Sequence, residues 1–170
     1  MAVLEIVTNP APVLRTKARK VTDFGQELQD LIDNMVETMR AAPGVGLAAP
    51  QIDMPWQVIV VEFGDEQDEE IPQKLYSVVN PELVRFSQET EIGVEGCLSI
   101  PGFVGDVERP VSVTIKGQNR RGKPIRIKAQ GWLARIFQHE IDHLEGILFI
   151  DKAEKVWPVE EEPAQVMPAD

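Results

Sequence analysis

Three shortages bound this chain before any motif is read. Cysteine occurs once, at Cys97, so no intrachain disulfide can form, which suits a reducing compartment such as the cytoplasm. No apolar run reaches the ~18 residues that a helix needs to cross a bilayer, and the opening Met1-Ala2-Val3-Leu4-Glu5 has no basic region ahead of a long apolar stretch, unlike a secretory signal. Positive charge is also scarce. Lys and Arg number 17 against 28 Asp and Glu, a net charge of −11, which argues against broad or sequence-specific nucleic-acid binding.

What remains is enough for one folded unit. The chain has 170 residues and 43% hydrophobic content, a length that suits a single domain with a real core. Its charge is unevenly spread. Asp65, Glu66, Asp68, Glu69 and Glu70 form an acidic cluster, whereas Lys116, Arg120, Arg121, Lys123, Arg126 and Lys128 form a basic stretch with no acid inside it. Both read as solvated loops or strand faces, and the second also suits docking to an anionic partner.

Periodicity gives the elements. Residues 1–22 read as an irregular arm, because Asn9-Pro10-Ala11-Pro12 opposes regular structure. Asp23 reads as an N-cap with Gln26 as its capping-box partner. Leu28, Leu31, Ile32, Met35, Val36 and Met39 follow at helical spacing and predict an amphipathic helix that ends before Pro43-Gly44. Gly44-Val45-Gly46-Leu47-Ala48-Ala49-Pro50-Gln51 reads as a tight loop whose small residues allow close backbone approach. Strands are predicted over 56–62, 75–79, 82–86, 90–95, 111–116 and 124–128, with a break at Asn80-Pro81 and a hairpin turn at 118–122. A second helix begins near Gln130 or Gly131 and stops at Gly146, and Ile147–Ile150 reads as a last short strand. The expected fold is therefore α+β, mainly antiparallel sheets packed around that later helix, with one folded domain over residues 1–152 and an acidic, disordered tail over 153–170.

The later helix carries both histidines of the protein, in Gln138-His139-Glu140-Ile141-Asp142-His143. Positions i and i+4 of a helix differ by only about 40° in azimuth, so the two imidazoles project from one face and can share a metal ion. Glu140 sits within reach of a metal-bound water as a general base. Asp142 and Glu145 read as surface or supporting residues. Cys97 is a candidate for the third donor, although a lone cysteine reads by default as buried apolar filler and also suits a nucleophile. A thiolate with two imidazoles leaves a fourth position open, as catalytic rather than structural sites do. A closed site would instead have to recruit a carboxylate such as Glu160, Glu161 or Glu162, as a metallopeptidase with this helix motif would.

Three segments together carry a resemblance to the peptide deformylase family: Gly44-Val45-Gly46-Leu47-Ala48-Ala49-Pro50-Gln51, Glu95-Gly96-Cys97-Leu98-Ser99, and Gln138-His139-Glu140-Ile141-Asp142-His143. The likeness covers about residues 4–151. It implies a hydrolase that removes the formyl group from N-formylmethionyl peptides and releases formate. It implies Cys97, His139 and His143 as metal ligands, with Fe²⁺ as the ion and Zn²⁺, Ni²⁺ or Co²⁺ as replacements. It implies Glu140 as the general base, and Gln51 and the Leu98 backbone N–H as donors to the developing oxyanion. Val45, Gly46, Glu95, Gly96 and Ile136 would line the extended peptide, with the stem of Arg135 beside them. Some family members dock on the ribosome through a basic C-terminal helix. This tail is acidic, so transient ribosome contact is expected instead through the basic 116–128 hairpin. An inactive binder of formylated peptides is the reading from a different class, and formate release separates it from the enzyme.

Overall fold

A computed structural model describes residues 2–64 and 72–159. The acidic cluster at 65–70 and the glutamates at 160–162 lie outside the described residues. Among the described residues, eight strands form two antiparallel sheets. Strands β1 (Gly46–Ala48), β2 (Val58–Phe63), β3 (Lys74–Phe86), β6 (Ser112–Gln118) and β7 (Pro124–Gln130) make a five-stranded sheet in that order. Strands β4 (Thr90–Cys97), β5 (Ile100–Pro110) and β8 (Ala153–Pro158) make a three-stranded one. Helices α1 (Gln26–Ala41) and α2 (Gly131–Leu144), with the short α3 (Phe149–Lys152), complete the fold. The α+β class and its antiparallel pairing agree with the sequence reading.

Strand β2 shows why the two long helices lie on opposite faces of the larger sheet. Successive strand residues point to opposite sides, and all of Val58 to Val61 are buried. Ile59 and Val61 join Ile136, Phe137 and Ile141 of α2 in one core cluster. Val58 and Val60 join Ile32, Met35 and Met39 of α1 in another. The predicted α1 stripe is buried throughout, as the helical spacing required. A third cluster, Leu14, Cys97, Ile100, Val107, Leu148 and Phe149, ties the N-terminal arm to the smaller sheet. The arm also clips two motif segments: Val7 N–H donates to Gln51 O and Asn9 N–H to Ser99 O, both at 2.8 Å.

Several local expectations differ from the structure, each for a physical reason. Helix α1 starts at Gln26 with Gly25 as N-cap. Asp23 turns its carboxylate to the Gly25 N–H at 2.9 Å, a side-chain turn that delays the helix. The break at Asn80-Pro81 is a bulge within the single strand β3: the register shifts between Val79 and Glu82, and Asn80 adopts φ 53°. The strand expected over Ile147–Ile150 is replaced by α3, whose first turn forms as Asp151 accepts the Leu148 N–H at 2.9 Å. The irregular tail expected from residue 153 gives way, through Pro158, to β8, which pairs with β5 from Phe103 to Val107.

Truncation after Lys152 therefore strips a strand from the smaller sheet rather than removing a loose end. With roughly 1 kcal/mol net per backbone hydrogen bond, the loss should reach about 2–3 kcal/mol and lower the melting temperature by roughly 4–12 °C, as calorimetry of the truncated and full chains would measure.

Candidate metal centre and active site

The site forms where the end of β4 meets the buried face of α2. The β4–β5 register shifts between Gly96 and Cys97, and Cys97 pairs with Ile100 across the Leu98-Ser99 turn. That irregularity re-aims the cysteine side chain toward the helix. Donor atoms of Cys97, His139 and His143 all lie within 4.8 Å of one another, with Cys97 Sγ 3.3 Å from His143 Nε2. All three side chains are buried. Among the described residues no other Cys, His, Asp or Glu joins the group.

Gln51 reaches the same point from the short turn Ala49–Ile52 that follows β1. Its Oε1 accepts the Ala48 N–H at 3.0 Å, which fixes the amide so that Nε2 faces the site. Nε2 donates to Ser99 Oγ at 3.1 Å and lies 3.5 Å from Cys97 Sγ. Glu140 is 1% exposed and its Oε1 has no hydrogen-bond partner among the described residues. Burial pushes its pKa up to about 7, because desolvation disfavours the charged form. Its other oxygen fills the space beside Gly46, where an added Cβ would sit 2.5 Å from Oε2. The small residue at 46 is thus explained by a carboxylate of the chain itself.

The ring of His139 is held from behind. Its Nδ1 lies 3.0 Å from Glu95 Oε1, so donation to the carboxylate leaves Nε2 with a lone pair that could bind a metal. Glu95 is completely buried and is gripped by two guanidiniums. Arg109 binds it through Nε and Nη2, and Arg135 donates from Nη1 at 2.6 Å. Burial acts to raise the Glu95 pKa, and the hydrogen bonds from Arg109 and His139 override it, leaving the carboxyl well below the usual range. Arg109 Nη1 also reaches Asp142 Oδ2 at 2.9 Å, and Lys152 closes on the same carboxylate at 3.1 Å. Asp142 is therefore a buried member of a charge network, whereas Glu145 forms an exposed pair with Lys17 at 3.4 Å.

The sequence-predicted residues fall as follows. Cys97, His139, His143, Glu140 and Gln51 converge. Leu98 is half-buried at the turn after the cysteine, and Gly96 is buried beside it. Val45 is half-buried and packs against the core cluster that contains the fully buried Ile136. Glu95 faces His139 and the two arginines. Sequence reasoning missed Arg109 and Ser99 as site neighbours. Arg109 lies in no motif, and only its place in β5 opposite Glu91 brings it near.

A sequence profile of the polypeptide deformylase family matches residues 3–158. The chain belongs to that family. The peptide deformylase of Symbiobacterium thermophilum is 51% identical over 99% of this chain and 78% of its own length. That of Natranaerobius thermophilus is 50% identical over 95% and 99%. Among solved structures, the Ehrlichia chaffeensis peptide deformylase in complex with actinonin superposes with a TM-score of 0.85 at 39% identity, covering 91% of each chain. The Acinetobacter baumannii enzyme bound to Met-Ala-Ser gives 0.82 at 37%, covering 89% of this chain and 98% of that one. This deformylase is thus a metal-dependent hydrolase that removes the formyl group from formyl-methionine peptides.

The Gly46–Glu140 contact makes a sharp expectation. Gly46→Ala must displace a buried carboxylate by a few tenths of an ångström or more, and kcat for formate release should fall about 10²-fold. The bound metal, measured by elemental analysis, should stay at the wild-type level.

Proposed function

We propose that Cys97, His139 and His143 hold a divalent ion in this deformylase and that Glu140, Gln51 and the Leu98 N–H act on the formyl group around it. The observation that carries this reading is the meeting of one sulfur and two ring nitrogens within 4.8 Å, beside a buried carboxylate oxygen that has no partner. Buried polar atoms are nearly always satisfied, so Glu140 Oε1 fits a water or substrate proton. The donor set suits first-row divalent ions, Zn²⁺ among them. The likeness to the family favours Fe²⁺, with Zn²⁺, Ni²⁺ or Co²⁺ as replacements, and elemental analysis of anaerobically purified protein tests that choice.

When bound, the ion supplies Lewis acidity toward the formyl oxygen and lowers the pKa of water. Glu140 takes the proton of the attacking water on Oε1 and delivers it to the departing amine. Gln51 Nε2 and the Leu98 N–H donate to the formyl oxygen as it becomes negative. The peptide lies extended between segment 44–46 and segment 95–96. Strands β1 and β4 each stand at the edge of a sheet, and an edge offers free backbone groups to an added strand. Val45, with Ile136 behind it, flanks the methionine side chain, while the backbones of Gly46 and Gly96 run beside the peptide.

Formate release from a formyl-Met dipeptide is the direct test. Glu140→Ala should retain the ion and lose turnover, Cys97→Ala should lose the ion, and Gln51→Ala should lower kcat about 10²–10³-fold. A metallopeptidase would cleave internal bonds instead.

We also place transient ribosome contact on the basic hairpin, and the enzyme in the cytoplasm, where a lone thiol stays reduced. Lys116, Arg126 and Lys128 are exposed on β6 and β7, whereas Arg120 is committed to Asp33 at 2.8 Å and to Gln29. Replacing those three exposed residues with Ala should weaken salt-sensitive cosedimentation with ribosomes several-fold, and unchanged binding would remove the hairpin from consideration.

A further inference from the structure

We propose that Arg135, lodged in the space left by Gly93, is a positioning residue that fixes Glu95 and through it the ring of His139. Arg135 lies on α2 one helical turn before His139 and, as a charged residue near the substrate cleft, invites assignment to peptide binding. Its contacts point elsewhere. Nη1 donates to Glu95 Oε2 at 2.6 Å and to the Val107 carbonyl at 2.9 Å. Nη2 donates to the Glu91 carbonyl at 2.7 Å. The residue is 6% exposed, and its guanidinium carbon sits 5.4 Å from the Trp132 ring centroid. Three of five donors and the charge itself are thereby committed within the protein. The guanidinium spans α2, β4 and β5, and it grips the same Glu95 oxygen that Arg109 Nε holds.

Gly93 makes that posture available. Residues 91, 93 and 95 alternate along β4, so positions 93 and 95 present to the same side of the strand. An added Cβ at Gly93 would lie 2.8 Å from Arg135 Cζ, 2.9 Å from Nε and 3.0 Å from Nη2. Those are the atoms of a guanidinium held at several points, not the free end of a flexible chain, so a methyl group there must move Arg135. The carboxylate of Glu95 would then keep only the Arg109 fork, which touches it from the β5 side through Nε and Nη2, and lose the contact from α2 that sets its tilt toward His139. The acceptor of His139 Nδ1 would then be held less firmly. Partners of this kind typically change metal affinity 10- to 100-fold.

Given that Cys97, His139 and His143 hold an ion, the coupling is measurable as the rate at which the metal-loaded protein yields its ion to excess chelator. Wild type, Arg135→Met, Gly93→Ala and the double variant form a cycle. Methionine keeps an unbranched apolar stem and removes the guanidinium. We expect each single variant to release the ion at least 10-fold faster. The double variant should be no faster than Arg135→Met, because the methyl group then has nothing left to displace. Arg135→Lys, which keeps the charge but cannot span all three acceptors, should fall between wild type and Arg135→Met. Melting of the metal-free proteins separates a loosened fold from a loosened ligand. Ion release at the wild-type rate by Arg135→Met, or a double variant whose acceleration equals the product of the singles, would overturn the proposal. So would a lowered metal-free melting temperature in Arg135→Met with unchanged release. A wild-type protein that takes up no stoichiometric ion would instead overturn the ion-binding assignment itself.

Discussion

A carboxylate with no solvent exposure dictates much of this architecture. Glu95 can stay ionised in the interior only because two guanidiniums and an imidazole surround it. Removing one member of such a buried set typically costs ~3–5 kcal/mol, since an unpaired charge is left behind. The three partners arrive from separate elements. Arg109 comes from β5, and Arg135 and His139 come from successive turns of α2. Holding that charge therefore means holding the smaller sheet against the helix at a fixed depth and rotation. Asp142 and Lys152 extend the same constraint to the start of β8.

The catalytic parts inherit their precision from this arrangement. A ring whose Nδ1 is tied to Glu95 presents Nε2 in one direction. The next residue along the helix is Glu140, whose carboxylate is seated against Gly46 of β1. The two sheets thus meet α2 at two adjacent residues, the smaller sheet through His139 and the larger through Glu140. Gln51 closes the ring of contacts, bound on one side to Ala48 of β1 and on the other to Ser99 of the cysteine turn. The site is a junction of rigid elements, the setting in which catalytic groups keep their geometry.

Much of this was legible in the sequence, and the exceptions share a cause. The α1 stripe from Leu28 to Met39, the hairpin of β6 and β7 and the helix bearing both histidines followed from spacing alone. The choice of Cys97 as the third donor rested on the family resemblance, since a lone thiol by itself reads as buried filler. The misjudged pieces were those decided by distant partners. Asp23 left the helix to turn on Gly25. Asp151 coiled a segment whose Ile147 and Ile150 favour strand. Residues 153–158 became ordered because β5 offered them an edge. Arg109 stayed hidden for the same reason, and Arg135 was read as a wall of the peptide site rather than as a partner of Glu95. A buried cation reads as a surface residue until the carboxylate it neutralises is known, and Glu95 lies 14 and 40 positions away from them.

The clasp formed by Val7 and Asn9 has a bearing on how the molecule comes into being. Those two backbone groups from the opening residues hold Gln51 and Ser99, while both imidazoles arrive only with residues 139 and 143. Large loops must close before any of these contacts is rewarded, which slows folding relative to a chain built of local pairs. A nascent copy halted before residue 139 would own a thiol and an amide but no nitrogen donors. The hydrolytic centre is therefore a product of late synthesis, since its parts are drawn from a span that runs from the opening residues to His143.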